Sequence, residues 1–136
     1  MKQVNSIKDI PWKDPVFENE YILVFNDGVP VNPGHQLFVP KNKETRTIDR
    51  CFHYAMTSGR ELVRTGKCEG FNVGINYGEA AGQTCGWPHV HMIPRFTGDM
   101  ENPQGGVRHV IPDRGNYKTS AYYDKPEYDY ITGRNK

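Results

Sequence analysis

A chain of 136 residues with a formal net charge of +1 is the size of one domain, and it carries too little net charge to present a broad basic face to duplex nucleic acid. Only 36% of it is hydrophobic, with no apolar run near the ~18 residues a spanning helix needs and no apolar stretch at Met1–Ser6 of the signal-peptide kind, which argues against a membrane segment and predicts a cytoplasmic location. Three cysteines without a C-x-x-C pair argue against a disulfide framework or a cysteine zinc site, while 14 glycines and 10 prolines predict short elements and many loops.

In chain order, Tyr21–Phe25 is an apolar, β-rich run followed by the turn signal Asn26-Asp27-Gly28, which predicts a hairpin. A second strand is expected at Gln36–Val39, between Pro33-Gly34 and Pro40. From Thr47 to Thr65 the apolar and small residues Ile48, Cys51, Phe52, Ala55, Met56, Gly59, Leu62 and Val63 recur with helical period and one buried stripe. Thr47 is the expected N-cap and Gly66 the residue just past the end. His53 falls off the stripe and reads as a surface residue. Two further strands are expected at Phe71–Tyr77 and Trp87–Ile93, and Val107–Ile111 reads as a short strand or extended arm. The order β-β-α-β-β with short connections predicts an α+β domain, an antiparallel sheet of about five strands with one main helix packed on it. A single domain is expected over residues 1–116, and residues 117–136 form a tyrosine-rich arm or tail.

Strand alternation sorts the side chains of Trp87-Pro88-His89-Val90-His91-Met92-Ile93. Val90 and Met92 make a core face, and His89 and His91 project side by side from the other, roughly 6–7 Å apart along the strand. Such a pair serves as two metal ligands, as a catalytic pair, or as two surface histidines without a role. A metal site needs a third ligand and usually a fourth. Met92–Phe96 supplies none, and His35 would have to complete a three-histidine set with His89 and His91. The segment leading in, Gly82-Gln83-Thr84, can form a turn whose N–H groups and Gln83 amide face a phosphate.

The segment Gly74-Ile75-Asn76-Tyr77-Gly78-Glu79-Ala80-Ala81-Gly82-Gln83-Thr84, followed by His89-Val90-His91-Met92-Ile93-Pro94-Arg95, resembles the signature region of the histidine triad (HIT) superfamily of nucleotide hydrolases and transferases. Asn26–Lys41, with its P-G-H segment, is similar to the family's hairpin. Phe96–Asp99 and Gly105–Pro112 are similar to the downstream extension of bacterial members that resemble dinucleoside polyphosphate hydrolases. The register places Trp87 where the family has its first histidine.

The resemblance implies a covalent route through a nucleotidyl-histidine, in which His89 attacks the α-phosphorus of a dinucleoside polyphosphate, a nucleoside phosphoramidate or a similar compound. It implies that the backbone carbonyl at position 87, which tryptophan retains, accepts the Nδ1–H of the nucleophile. His91 would stabilise the non-bridging phosphate oxygens, and Gln83 would contact the bridging oxygen and orient water. His35 would approach the same phosphate, Asp27 would accept the ribose hydroxyls, and Asn76 and Thr84 would contact phosphate or loop. The resemblance also implies that no cofactor is required, a divalent cation being bound with the substrate if at all, and that the partner chain is a second copy in a homodimer. Two alternatives stay open at this point, a purine-nucleotide-binding module with weak turnover and a histidine-ligated metal protein.

Overall fold

The computed structural model describes residues 1–120 and, beyond them, the backbone of Tyr128–Asp129 and Arg134–Asn135. Most of the expected tyrosine-rich arm therefore lies outside the described residues. Two compact units are present, Met1–Asp99 and Met100–Lys136.

In the first unit, strands β1 (Phe17–Glu18), β2 (Ile22–Asn26) and β3 (Gln36–Pro40), helix α1 (Thr45–Arg64), and strands β4 (Gly70–Ile75) and β5 (Val90–Arg95) follow one another. The strands form one antiparallel sheet in the order β1-β2-β3-β5-β4, and α1 packs across β3, β5 and β4. This is the expected α+β architecture. The fifth strand is the two-residue β1 at the edge, too short to leave a period in the sequence, whereas the segment expected to supply a further strand downstream folds otherwise.

Side-chain parity divides the core in two. Val24, Phe38 and Val90 are register partners and face α1, where they pack with Ile22, Met92, Cys51 and Ala55. The alternate positions Phe25 and Leu37 face the other way and join Val39, Trp87, Val4 and Ile10 in a second cluster. The N-terminal segment thus covers part of the face that α1 leaves open. It is tied there by the backbone, since Lys2 donates to the Thr84 carbonyl at 3.0 Å and its own carbonyl accepts from Gly86 at 2.7 Å.

Several boundaries differ from expectation for identifiable reasons. The helix begins three residues early, with Glu44 as its N-cap in place of Thr47, and Thr47 lies inside it, buried at 4% exposure. Met56 and Val63, placed on the buried stripe by period alone, are exposed. β4 starts and ends earlier than Phe71–Tyr77, because Asn76 and Tyr77 already turn into the loop. The histidine strand begins at Val90, not Trp87. Pro88 has no N–H to give a ladder, and the Gly86 N–H is already taken by Lys2. The turn signal at Asn26-Asp27-Gly28 opens a longer connection over residues 27–35 before β3.

In the second unit, Val107–Ile111 is neither strand nor extended arm. Gly106–Val110 is a 3-10 turn, entered through Gly105 at φ 102° and Gly106 at φ 53°, left-handed conformations that bend the chain where a strand would run straight. Further 3-10 turns follow at Pro112–Arg114 and Tyr117–Thr119, and a two-stranded antiparallel ribbon pairs β6 (Tyr128–Asp129) with β7 (Arg134–Asn135). No helix among the described residues is long and apolar enough to cross a membrane.

Candidate functional site

Parity also gathers the polar residues. Asp27 lies two residues past Phe25, His35 two before Leu37, and His89 two before His91, so all four belong to the face opposite α1. Leu37 pairs with His91, and the Asp27 N–H donates to the His35 carbonyl at 3.0 Å, which carries the β2–β3 pairing one step beyond the strands. The imidazoles converge as a result, with ring centroids 5.2 Å apart for His35 and His91 and 5.1 Å for His89 and His91.

Hydrogen-bond partners assign the ring protons. The Val31 N–H donates to His35 Nδ1 at 3.0 Å. A backbone N–H can only donate, so the His35 proton is on Nε2. That nitrogen is 2.9 Å from His91 Nδ1 and 3.4 Å from Asp27 Oδ2. His91 Nδ1 therefore accepts, and its own proton sits on Nε2. In His89 the polarity is opposite. Its Nδ1 lies 2.9 Å from the Trp87 carbonyl, which can only accept, so Nε2 carries a bare lone pair. Side by side stand one imidazole with a nucleophilic nitrogen and one with an N–H donor.

Burial reinforces this state. Desolvation first, then the neighbouring His89 and His35 rings, push His91 down to about 4, against a smaller upward pull from Asp27. His35, 4% exposed, is lowered by burial and partly restored by Asp27. Both rings are neutral at pH 7, so His91 meets an anion as a neutral N–H. The unfolded chain takes up protons on these histidines below about pH 6.5, whereas the folded His91 refuses one until about pH 4. Folding stability is thus unaffected by this ring above pH 6.5, falls as pH drops between the two values, and levels off below the lower one. Urea unfolding midpoints measured from pH 7 to 4 are expected to record a loss of about 1–2 kcal/mol from His91, after discounting for solvent at a partly exposed ring, and His91→Asn should flatten that part of the fall.

The loop before β3 is fixed from the far end of β5. Asn32 donates through Nδ2 to the Pro94 carbonyl at 3.0 Å and to Asp99 Oδ2 at 2.7 Å, and its own carbonyl accepts from the His35 N–H. Arg95 clamps Asp99 through two bonds of 2.8 Å. Arg95 and the Phe96 N–H hold the Asp99 carboxyl well below the usual carboxylate range, so the anchor stays charged. Gly34, at φ 89°, also brings the backbone close enough that a Cβ there would sit 3.1 Å from the Pro94 ring, and a side chain has neither the conformation nor the room.

The other expected residues are placed differently. The Trp87 ring is 4% exposed, donates from Nε1 to the Pro40 carbonyl at 2.9 Å, and fills the second core. Gln83 is engaged within its own loop, where Oε1 accepts from the Gly78 N–H and Nε2 donates to the Cys85 carbonyl, each at 2.8 Å. Asn76 and Thr84 are exposed in the same loop. Asp27, half-buried, accepts from the Val29 N–H through Oδ1 at 2.8 Å. One residue absent from the sequence expectations joins the site, Trp12, whose ring centroid is 4.7 Å from that of His89. Nothing in Ile10-Pro11-Trp12-Lys13 points to a histidine so far along the chain.

The three groups that converge as possible metal ligands are Asp27, His35 and His91, with one ligand atom of each within 4.8 Å of the others, in place of the three-histidine set. Their protonation suits a hydrogen-bond chain better than a cation. Ligation through His35 Nε2 would move its proton to Nδ1, directly against the Val31 N–H.

The model of the HIT domain matches residues 12–98. A HIT-like protein of Methanocaldococcus jannaschii is 36% identical over 77% of this chain and 86% of its own. The adenylylsulfatase HINT1 of Arabidopsis thaliana is 34% identical over 63% of this chain and 64% of its own. Among solved structures, a member of the HIT family from Bacillus subtilis superposes with a TM-score of 0.57 at 31% identity, covering 71% of this chain and 77% of that one. With the hairpin, the histidine strand and the sheet order all inside the matched span, the chain belongs to the HIT domain family.

Proposed function

We propose that this protein hydrolyses or transfers nucleotidyl groups by attack at the α-phosphorus of a nucleoside phosphate, with a dinucleoside polyphosphate or nucleoside phosphoramidate as the substrate class. The observation that carries this reading is the pair of opposite tautomers. His89 Nε2 offers the lone pair that attacks phosphorus in line, and the P–O or P–N bond to the leaving group breaks with its electrons. His91 Nε2–H is a fixed donor for the non-bridging oxygens whose charge grows in the transition state. Water then cleaves the phosphorus–nitrogen bond of the nucleotidyl-His89 and releases the nucleoside monophosphate.

Asp27 takes the ribose hydroxyls, and His35 acts on the phosphate through His91, which it orients. Asn76 and Thr84 border the phosphate from their loop. Gln83 takes up its part in orienting water only when substrate draws its amide from Gly78 and Cys85. That engagement favours a second reading, a purine-nucleotide-binding module with weak turnover, as does Trp87 standing where the family has its first histidine. The chemistry needs no metal of the protein's own, and a divalent cation enters with the polyphosphate.

Intact mass after acid quench of a reaction with a dinucleoside polyphosphate tests the proposal. The expected result is a nucleotidyl adduct mapped to His89, together with release of nucleoside monophosphate that persists after exhaustive chelation of the purified protein. Tight binding of AMP or GMP without adduct or release would establish the module instead.

A further inference from the structure

His89 is held on more than one side. Its Nδ1 is tied to the Trp87 carbonyl, the His91 ring lies on one flank, and the Trp12 indole lies against it at 4.7 Å between centroids, with the ring planes tilted by 57°. Trp12, itself half-buried, packs against the second core cluster and on Phe25 at 6.2 Å. Its position is therefore set by the body of the domain and not by the histidines it touches.

We infer that Trp12 is a positioning residue for His89, keeping the free Nε2 aimed into the site and lying against the ring in which positive charge develops when that nitrogen attacks. The inference rests on reading His89 as the nucleophile. When the Nε2 lone pair forms a bond to phosphorus and the leaving group departs with its electron pair, Nδ1 keeps its proton. The ring then becomes a substituted imidazolium, positively charged and still bonded to the Trp87 carbonyl. A cation over the face of an indole, within about 6 Å of its centroid, is attracted by the ring quadrupole, and tryptophan is the strongest of the aromatic side chains in this respect. In the resting state the imidazole is a neutral ring packed on another. The attraction grows along the reaction coordinate, which is the condition for a contact to accelerate the step.

Two substitutions separate the π face from apolar bulk. Trp12→Phe retains a weaker aromatic face, and Trp12→Met retains apolar length without one. The first readout uses no nucleotide. Diethyl pyrocarbonate acylates a neutral imidazole through the same kind of cationic ring, and peptide mapping follows His89 separately from His53, which is exposed on α1 and serves as the internal reference. Carbethoxylation of His89 is expected to slow about five- to tenfold in Trp12→Met and no more than about twofold in Trp12→Phe, with His53 unchanged. The second readout is turnover, where kcat should fall by a similar factor while KM stays within about twofold.

An unchanged or faster His89 acylation in Trp12→Met would overturn the inference, because it would make Trp12 a mere shield. So would equal losses in the two variants that track their melting temperatures. If Trp12→Met does not fold, Trp12→Leu takes its place under the same criteria. If the wild-type protein shows no turnover but acylation slows as stated, the positioning role stands and the nucleotidyl-transfer reading fails. If turnover is robust and acylation is insensitive to Trp12, the reverse holds.

Discussion

His89→Ala is expected to lower nucleoside monophosphate release by about 10³-fold or more and to abolish the trapped adduct altogether. The size follows from what is removed and what is left. The covalent route disappears with the Nε2 lone pair, while the His91 N–H donor and the binding contacts remain, and such remnants in other nucleophilic enzymes still give measurable acceleration over water. Binding should be nearly preserved, since His89 is only half-buried and Asp27, His35 and His91 keep their contacts. Parallel measurements of steady-state release and of AMP affinity check both halves. A variant that retains a tenth or more of wild-type turnover would remove His89 from the mechanism.

The second large effect is expected at a residue that touches no phosphorus. His35→Leu deletes the N–H that the structure directs at His91 Nδ1, and it strands the Val31 N–H that His35 accepts. His91 is then free to place its proton on either nitrogen, and the fraction that carries it on Nδ1 presents a lone pair to the phosphate oxygens where a donor is needed. A misassigned tautomer is severe in the serine proteases, about 10⁴-fold. The neighbouring carboxylate of Asp27 lies on the Nδ1 side of His91 and draws the proton the wrong way, whereas a neutral histidine's own preference for Nε2–H softens the case here. A fall of about 10²-fold in kcat, with KM changed much less, is the expected outcome. His35→Gln, whose amide N–H can reach toward His91, should recover part of it. Equal activity of the leucine and glutamine variants would mean that His35 serves packing alone.

How far the sequence reached is plain from these residues. The sheet and its helix were legible because hydrophobic period survives burial, and His89 and His91 were legible as a pair because strand parity assigns faces before any pairing is known, whereas Asp27 and His35 were expected beside them only through the family resemblance. The reach ended where partners are chosen across long separations. Gln83 reads in the sequence as an amide free to face a phosphate, yet a carboxamide finds the nearest unpaired backbone groups, here Gly78 and Cys85. Asn32, Arg95 and Asp99 look like ordinary loop polarity until the end of β5 meets the loop before β3. Trp12 is brought to His89 by the packing of the N-terminal segment, which no local pattern encodes. In Val107–Ile111 the apolar content suggests a strand or extended arm, but the Gly105-Gly106 pair in left-handed conformations turns the chain into a 3-10 turn.

The brace between Lys2 and the Thr84–Gly86 backbone acquires a meaning beyond covering a sheet face. The carbonyl that sets the proton of His89 belongs to the residue next to Gly86, so the reactive nitrogen owes its lone pair to a peptide steadied by the opposite end of the domain. On the proposed mechanism, loosening of residues 1–4 alone is expected to free the Trp87 carbonyl from His89 and disarm the nucleophile while the histidines, the sheet and the helix stay in place. Readiness for chemistry in this fold is thus a local equilibrium of its own, one that a spectroscopic melting curve of the whole domain would pass over in silence.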